Sequence, residues 1–144
     1  MAYINAEQVK AIRNALKVEL PQYKFAVRKS QGGHAVGVEL KKGPAFAKFT
    51  RWDRYANNCD GDYVVEDLNK GYHQVNQYWL KENVGEENTP VFEKIIEIIK
   101  TAPFKAGVGD LWFDESDSMV DYFHTAYYFN INIGRFDKDY EVVA

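Results

Sequence analysis

The side chains best suited to proton transfer near neutral pH are three histidines, which are widely spaced at His34, His73 and His124. None has metal-ligand spacing to another histidine or to the single Cys59, so the sequence predicts no zinc site. Asp121 precedes His124 by three residues, and a nearby carboxylate raises an imidazole pKa and makes it a useful proton carrier. A hydrolase that uses His124 and nearby carboxylates is therefore one hypothesis. No nucleophile or third group is evident, and an ordinary surface histidine is the simpler interpretation.

Acidic residues form two clusters, one within residues 60–67 and one within residues 110–121. Carboxylate oxygens suit magnesium or calcium, but Asp60-Gly-Asp62 lacks the ligand spacing and terminal glutamate of a calcium loop. A solvated acidic surface is favoured, and no metal or cofactor is predicted. The second cluster has five carboxylates in twelve residues without a Lys or Arg, so it could imitate phosphates and occupy a basic groove. Its binding candidates are Asp114, Asp117 and Asp121.

Basic and aromatic residues are interleaved in the N-terminal third of the chain. Cations follow phosphates while exposed aromatic rings stack on bases, which is the mixture that single-strand binders use. A single-stranded nucleic-acid-binding module is therefore an alternative, although a sequence pI of about 5.6 argues against it. The basic residues of this hypothesis are Lys24, Arg28, Lys41, Lys42, Lys48, Arg51 and Arg54.

Aromatic residues make up 15% of the sequence, with ten Tyr, nine Phe and three Trp. Tyr and Trp combine an apolar body with a polar group, and such anchors dominate interface energies. Core packing is the competing interpretation for each of them. The contact residues predicted on this basis are Trp52, Tyr55, Tyr72, Tyr78 and Trp79.

The totals describe one ordinary globular domain spanning residues 1–144, with 46% hydrophobic and 27% charged residues. The one cysteine excludes an internal disulfide and fits a reducing compartment, and its acidic neighbours suggest a bystander thiol. No run approaches a membrane span and no leader is recognised, so a cytoplasmic protein is expected. The net charge is −3, but residues 1–54 hold eleven Lys/Arg against four Asp/Glu, and residues 55–144 hold seven against seventeen.

These groups must be positioned by a sheet, and the clearest strand lies in residues 122–136. Tyr127, Phe129 and Ile131 alternate with Tyr128 and Asn130, which predicts one packed face and one wet face. The stretch is expected to be the central strand of an antiparallel sheet. A short strand is expected at residues 140–143.

Two helices and a hairpin are also predicted. The first helix begins at Asn5, with Gln8 placed to reach back to the cap, and it ends before Pro21. Alternation then predicts strands around Tyr23–Val27 and Val36–Leu40. The second helix is expected to have Thr89 as its cap, Pro90 at its first position, and Pro103 after its end.

The chain between these elements has a weaker pattern. Residues 45–62 show no sustained period and are expected to be a long connection without its own structure. Residues 63–83 are expected to be irregular and partly helical, with a short strand at Tyr63–Val65 as an alternative. Leu68, Tyr72, Val75 and Trp79 define the helical stripe. Together the elements predict an α+β fold with a small, mostly antiparallel sheet and two main helices packed on one face.

A further signal lies in six segments of the chain, which are residues 2–17, 20–28, Tyr72-His-Gln-Val-Asn-Gln-Tyr-Trp79, 92–99, 117–123 and Asn130-Ile-Asn-Ile-Gly134. These segments resemble a family of small domains from phages, prophages and conjugative plasmids, the large polyvalent protein-associated domains. The resemblance covers most of the chain except residues 43–70, and it carries no known catalytic residue. It implies a mobile element, where such domains accompany factors that protect the element from host defence. The leading hypothesis is thus a non-enzymatic counter-defence protein that blocks a CRISPR-Cas or restriction complex of the bacterial host.

Overall fold

The computed structural model describes residues 4–29, 33–77, 79–109, 112, 127–134 and 138–143. Within these ranges the chain forms three α-helices and seven strands, and the predicted α+β class is confirmed. The elements are α1 (Ala6–Glu19), β1 (Lys24–Lys29), β2 (Ala35–Gly43), β3 (Phe49–Asp53), β4 (Asp62–Glu66), β5 (His73–Val75), α2 (Leu80–Val84), α3 (Thr89–Lys105), β6 (Tyr128–Ile133) and β7 (Glu141–Val142).

Helix α1 begins and ends where the sequence predicts. The Asn5 side chain accepts from the Gln8 N–H, and the Gln8 side chain accepts from the Asn5 N–H, each at 2.9 Å. This reciprocal capping box satisfies two of the donors that a helix start leaves unpaired. The cap at the other end is Leu20, immediately before Pro21. The apolar stripe of α1 is buried, and it consists of Val9, Ile12 and Leu16.

Strand β6 lies inside the main sheet, whose order is β1-β2-β6-β5. Phe129, Ile131 and Ile133 are buried while Tyr128 and Asn130 are exposed, so the predicted alternation is confirmed. β6 is antiparallel to β5 but parallel to β2, so the expectation of an antiparallel sheet on both sides of this strand is wrong. A parallel pair needs a long crossover, and the chain that includes α3 provides it. The predicted β1–β2 hairpin and C-terminal strand are confirmed, and β7 is parallel to β2.

The region from residue 45 to residue 83 differs most from expectation. Residues 45–62 are not a structureless connection, because they contain β3 and the start of β4, which pair as a separate antiparallel sheet. The helical stripe is wrong as well, since Leu68 lies in a turn and Val75 in β5. Both side chains are nevertheless buried, so an apolar spacing that fits a helix here arises from separate elements. The short strand at Tyr63–Val65 is confirmed within β4.

Helix α3 also differs from the prediction at both ends. Thr89 is its first helical residue rather than its cap, and the Thr89 hydroxyl donates to the Gly85 carbonyl at 2.8 Å. Pro103 lies inside the last turn rather than after it. Proline has no N–H, so the Ile99 carbonyl loses its helical partner. The Tyr127 hydroxyl donates to that carbonyl instead, which ties the start of β6 to α3.

The two long helices share one core with the apolar face of the sheet. Phe92, Ile95 and Ile99 of α3 are fully buried together with Ile12 and Leu16 of α1. At the surface, the Lys94 ammonium lies 3.0 Å from the Glu19 carboxylate and joins the two helices. The other face of the sheet is left to solvent, as one-sided packing requires.

The contact between Tyr127 and Ile99 generates a stability prediction. Tyr127→Phe keeps the ring but leaves the Ile99 carbonyl unpaired, so we expect the free energy of unfolding to fall by about 1–3 kcal/mol. Burial raises the pKa of Tyr127 above its ordinary value of about 10. The stabilisation from a group with a raised pKa is complete below the unfolded pKa and is lost as the pH rises above it.

Urea denaturation of both proteins from about pH 8 to about pH 11 tests this expectation. Wild-type stability should begin to fall near pH 10, and the fall should be shallower in Tyr127→Phe. Tyr140, whose pKa burial also raises, keeps part of the slope in the variant. Identical stability of the two proteins at about pH 8 would contradict the assigned hydrogen bond.

Candidate functional site

The outward side of the β3–β4 hairpin is an apolar surface that faces solvent. Antiparallel pairing places Thr50 opposite Val65 and Trp52 opposite Tyr63. Because alternate side chains share a face, these four residues form one patch, which we call the aromatic face. The exposed fractions are 56% for Trp52, 68% for Tyr63 and 68% for Val65. Large apolar side chains that cluster in solvent mark interaction sites more often than scattered ones do.

The position of Trp52 is fixed from two sides. Its ring meets that of Tyr63 edge to face, with centroids 5.2 Å apart and an interplanar angle of 72°. The indole also lies against Gly61, where a Cβ atom would be 2.3 Å from Trp52 Cζ2. Gly61 has a φ of +86°, a conformation that favours glycine in any case. The aromatic face is therefore held in place before any partner binds.

The inward side of the hairpin carries the charges and the attachment. The Arg51 guanidinium lies 2.5 Å from the Glu66 carboxylate and 3.8 Å from that of Asp53. Phe49 packs so closely on Gly85 that a Cβ atom there would be 2.7 Å from the phenylalanine. The structure thus places Arg51, a predicted phosphate contact, in ion pairs within the hairpin.

The loop that joins the two strands carries a further predicted contact residue. Tyr55 is 69% exposed, and the Arg54 guanidinium lies 5.1 Å above its ring. Asn57, Asn58 and Cys59 are consecutive residues with φ values of 55°, 55° and 71°. Asparagine tolerates this left-handed conformation better than most residues, whereas for cysteine it costs about 1–2 kcal/mol. The loop places Tyr55 at the end of the hairpin, close in sequence to the aromatic face.

Two asparagine side chains attach the chain before the hairpin to the body of the domain. The Phe46 N–H donates to Asn69 Oδ1 at 2.7 Å, and Asn69 Nδ2 donates to the Phe46 carbonyl at 3.0 Å. The Ala47 N–H donates to Asn88 Oδ1 at 3.0 Å. Asn88 Nδ2 donates to the carbonyls of Ala47 and Val84, at 2.8 Å in each case. We call these contacts the two amide clamps. They fix the backbone just before β3 and therefore help to position the aromatic face.

Asp67 orients the first of these clamps. Its carboxylate accepts from the Asn69 backbone N–H at 3.0 Å and from Asn69 Nδ2 at 2.9 Å. These bonds, the backbone one first, hold the pKa of the Asp67 carboxyl below its ordinary value. The Asp67 carboxylate therefore orients the Asn69 side-chain amide that bonds to the backbone of Phe46.

The other predicted aromatic contacts lie elsewhere. Tyr72 is 49% exposed and donates from its hydroxyl to Asn132 Oδ1 at 3.3 Å, on the solvent face of the main sheet. Trp79 is 64% exposed and lies immediately before α2. No ring contact joins either residue to Trp52 in the part of the chain that the structure describes. The remaining candidates fall outside the described residues, and these are Tyr78, Asp114, Asp117, Asp121 and His124.

The predicted basic residues are divided between the β1–β2 hairpin and the β3–β4 hairpin. Lys24, Lys41 and Lys42 line one cavity at the open end of the β1–β2 hairpin, away from its connecting turn. Arg28 lies farther along β1, opposite Gly37. Arg54 belongs to the loop of the β3–β4 hairpin, so the structure does not bring all of these cations into one stripe.

Sequence reasoning missed Tyr63 and Val65 as surface residues. The pattern that could have revealed them is the alternation in Asp62-Tyr63-Val64-Val65-Glu66, read together with the alternation in Phe49–Asp53. A turn-rich segment between two alternating runs is typical of a hairpin. The hairpin is hard to recognise from the sequence because its outward face carries apolar residues, which usually point toward the core.

Two further observations concern metals and membranes. Within the described ranges, no group of three or more His, Cys, Asp and Glu side chains is arranged to hold a metal ion. The His73 ring nitrogen lies 3.0 Å from Asn83 Oδ1, which also accepts from the Asn76 N–H at 2.9 Å. His73 thus has a structural contact beside α2. No helix of the described chain has the length and apolarity to cross a membrane.

The chain is thus an α+β fold with exposed apolar side chains on a separate β-hairpin. Residues 3–102 match the family described as large polyvalent protein associated domain 29, which is more than half of the chain. The chain belongs to this family, as the sequence resemblance indicated, and is associated with phages and mobile elements. Searches of curated proteins and of solved structures gave no match.

The amide clamps can be tested by substitution. Asn88→Ala removes three hydrogen bonds from a side chain that is 6% exposed, and we expect the free energy of unfolding to fall by about 3 kcal/mol. Asn14→Ala is the matched control, because Asn14 is exposed on α1 and its loss should change stability by less than about 0.5 kcal/mol. Urea denaturation measures both. Equal effects of the two substitutions would refute the clamp as a stabilising contact.

Proposed function

We propose that this protein is a non-enzymatic counter-defence factor of a phage or other mobile element, which binds a host CRISPR-Cas or restriction complex and blocks it. The aromatic face of the β3–β4 hairpin is the observation that carries the proposal. The family's association with phages and mobile elements supports the setting. The hairpin is the proposed contact surface, and inhibition follows from occupying a site that the defence complex needs.

The energetics of the aromatic face favour a protein partner. Removing Trp52, Tyr63 and Val65 from water on binding gives roughly 25 cal/mol for each Å² of apolar surface buried. Aromatic anchors of this kind are the residues that dominate measured interface energies. Because Gly61 and Tyr63 already hold the indole in place, little side-chain entropy remains to be lost when the partner binds.

Charge near the aromatic face indicates which surface it fits. Asp60 and Asp62 are exposed at the end of the hairpin, and Arg54 is the exposed cation beside them. Complexes that act on nucleic acid carry basic surfaces for the phosphate backbone. An apolar patch bordered by carboxylates complements a hydrophobic spot bordered by lysines and arginines. The proposed occupant is therefore the nucleic-acid-binding surface of the defence complex.

Infection assays test the function directly. A panel of host strains, each carrying one CRISPR-Cas or restriction system, would express the wild-type chain and be challenged with a phage that the system targets. We expect plaquing to be restored in at least one strain. Trp52→Ala combined with Tyr63→Ala should abolish that restoration, since losing two anchors of about 2 kcal/mol or more each weakens binding by several hundredfold.

The control variant is Phe104→Ala, which also truncates an exposed aromatic side chain, 52% exposed, but does so on α3. It should behave as wild type, and circular dichroism should show all three proteins folded. Binding of the purified complex to wild-type and variant chains, with and without nuclease treatment, identifies the contact. The proposal would be excluded if plaquing were restored in none of the strains. It would also be excluded if Phe104→Ala abolished the restoration as fully as the double variant does. Recovery of the complex only through nucleic acid would favour the nucleic-acid-binding alternative.

A further inference from the structure

A cavity of about 320 Å³ opens where the β1–β2 hairpin meets the C-terminal part of the chain. Pockets that hold small ligands have volumes of roughly 300–1,000 Å³, so this one has room for a molecule of nucleotide size. It lies on the main sheet, apart from the β3–β4 hairpin. The residues that line it are Lys24, Phe25, Lys41, Lys42, Gly134, Lys138 and Asp139.

An irregularity in the hairpin brings two of these lysines together. In a regular strand, Lys41 and Lys42 would point to opposite faces of the sheet. The register between β1 and β2 shifts here, with Lys24 opposite Lys42 and Phe25 opposite Leu40, so Lys41 is the extra residue of a bulge. Bulges re-aim side chains and are common beside binding sites. Both lysines consequently line the same cavity.

The cavity lining is positive, with four lysines against the one carboxylate of Asp139. Lys42 is joined to Glu141 at 3.1 Å. Among the described residues, no carboxylate lies within 4.0 Å of the ammonium groups of Lys24, Lys41 or Lys138. Clustered lysines repel one another unless an anion lies between them. Phosphate groups, which carry more than one negative charge and several acceptor oxygens, suit such a set of ammonium donors.

The other lining residues offer chemistry for the rest of a ligand. Phe25 is half-buried and packs against the core, with its ring centroid 6.1 Å from that of Tyr23. The part of Phe25 that lines the cavity gives it an apolar wall. Aromatic rings bind nucleobases by stacking. Asp139 is exposed and can accept hydrogen bonds from sugar hydroxyls or from an exocyclic amine.

The wall of the cavity at Gly134 is closely packed. A Cβ atom at Gly134 would lie 2.8 Å from the Gly71 carbonyl oxygen, 2.9 Å from the Tyr140 nitrogen and 3.2 Å from the Lys138 carbonyl oxygen. Tyr140 in turn donates from its hydroxyl to the Pro44 carbonyl at 2.7 Å. The chain segments around Gly71, Gly134 and Tyr140 thus meet at this wall, so the cavity is built into the fold.

The geometry points to a binding site for a nucleoside phosphate. Lys24, Lys41 and Lys138 would hold the phosphates, Phe25 would stack on the base, and Asp139 would accept from the sugar or the base. This inference is independent of the proposed contact through the β3–β4 hairpin. It is tested on the purified chain alone, so failure of either proposal leaves the other standing.

Isothermal titration calorimetry of the full chain with ATP, in magnesium-free buffer of moderate ionic strength, is the primary test. Lys24→Ser combined with Lys41→Ser should raise the Kd at least tenfold, because two charge-assisted contacts are lost. The charge-matched control is Lys10→Ser with Lys105→Ser, since these lysines are exposed on α1 and α3 and do not line the cavity. Its Kd should equal that of the wild type.

Two further titrations separate nucleotide recognition from general anion binding. Inorganic tripolyphosphate should bind more weakly than ATP, and Phe25→Leu should weaken ATP but not tripolyphosphate. No heat of binding with ATP up to millimolar concentration, or equal losses in the two lysine variants, would overturn the proposal. So would equal affinity for ATP and tripolyphosphate. Tighter binding of a single-stranded oligonucleotide of the same phosphate number would also overturn it.

Discussion

The position of the β3–β4 hairpin depends on the two amide clamps. A side-chain amide presents the same donor and acceptor as a peptide group, so Asn69 and Asn88 each act as a single residue of a neighbouring strand. They satisfy the backbone of Phe46 and Ala47, which would otherwise be partly buried without partners. The hairpin can therefore leave the main sheet and still be anchored at its base. With the base of the hairpin anchored in this way, its outward side chains can stay exposed to solvent.

A second constraint joins the helices to the sheet through an exchange of hydrogen-bond partners. Pro103 removes one N–H from the last turn of α3, and the Tyr127 hydroxyl replaces it at the Ile99 carbonyl. The Trp112 indole N–H donates to the Tyr127 carbonyl at 2.7 Å and extends the connection. A helix-breaking residue is tolerated because the carbonyl that it deprives is bonded by the strand that packs beside it. These bonds fix the residue before β6 and so help to keep its buried side chains over the core.

Local rules predicted the elements whose signals agree with one another. The capping box at Asn5 and the alternation in β1, β2 and β6 each have a direct local cause, and the structure confirms them. The direction of β6 relative to β2 could not be read locally, because it depends on the path of the intervening chain. The hairpin was missed because its apolar residues face water, which is the opposite of the usual pattern. The lysine cavity was beyond sequence reasoning, since it needs a bulge in β2 and the return of Lys138 from the far end of the chain.

The loop at the end of the hairpin has a practical consequence, because it holds the single thiol of the protein. Cys59 is exposed in the same loop as Tyr55, and no second cysteine competes with it. One fluorophore per molecule can be attached there by alkylation, so a dye at this position reports on the surroundings of the hairpin. Storage in air oxidises the thiol instead. Two molecules can be cross-linked tip to tip through this thiol, and the reductant in the buffer then decides whether the hairpin is presented singly or in pairs.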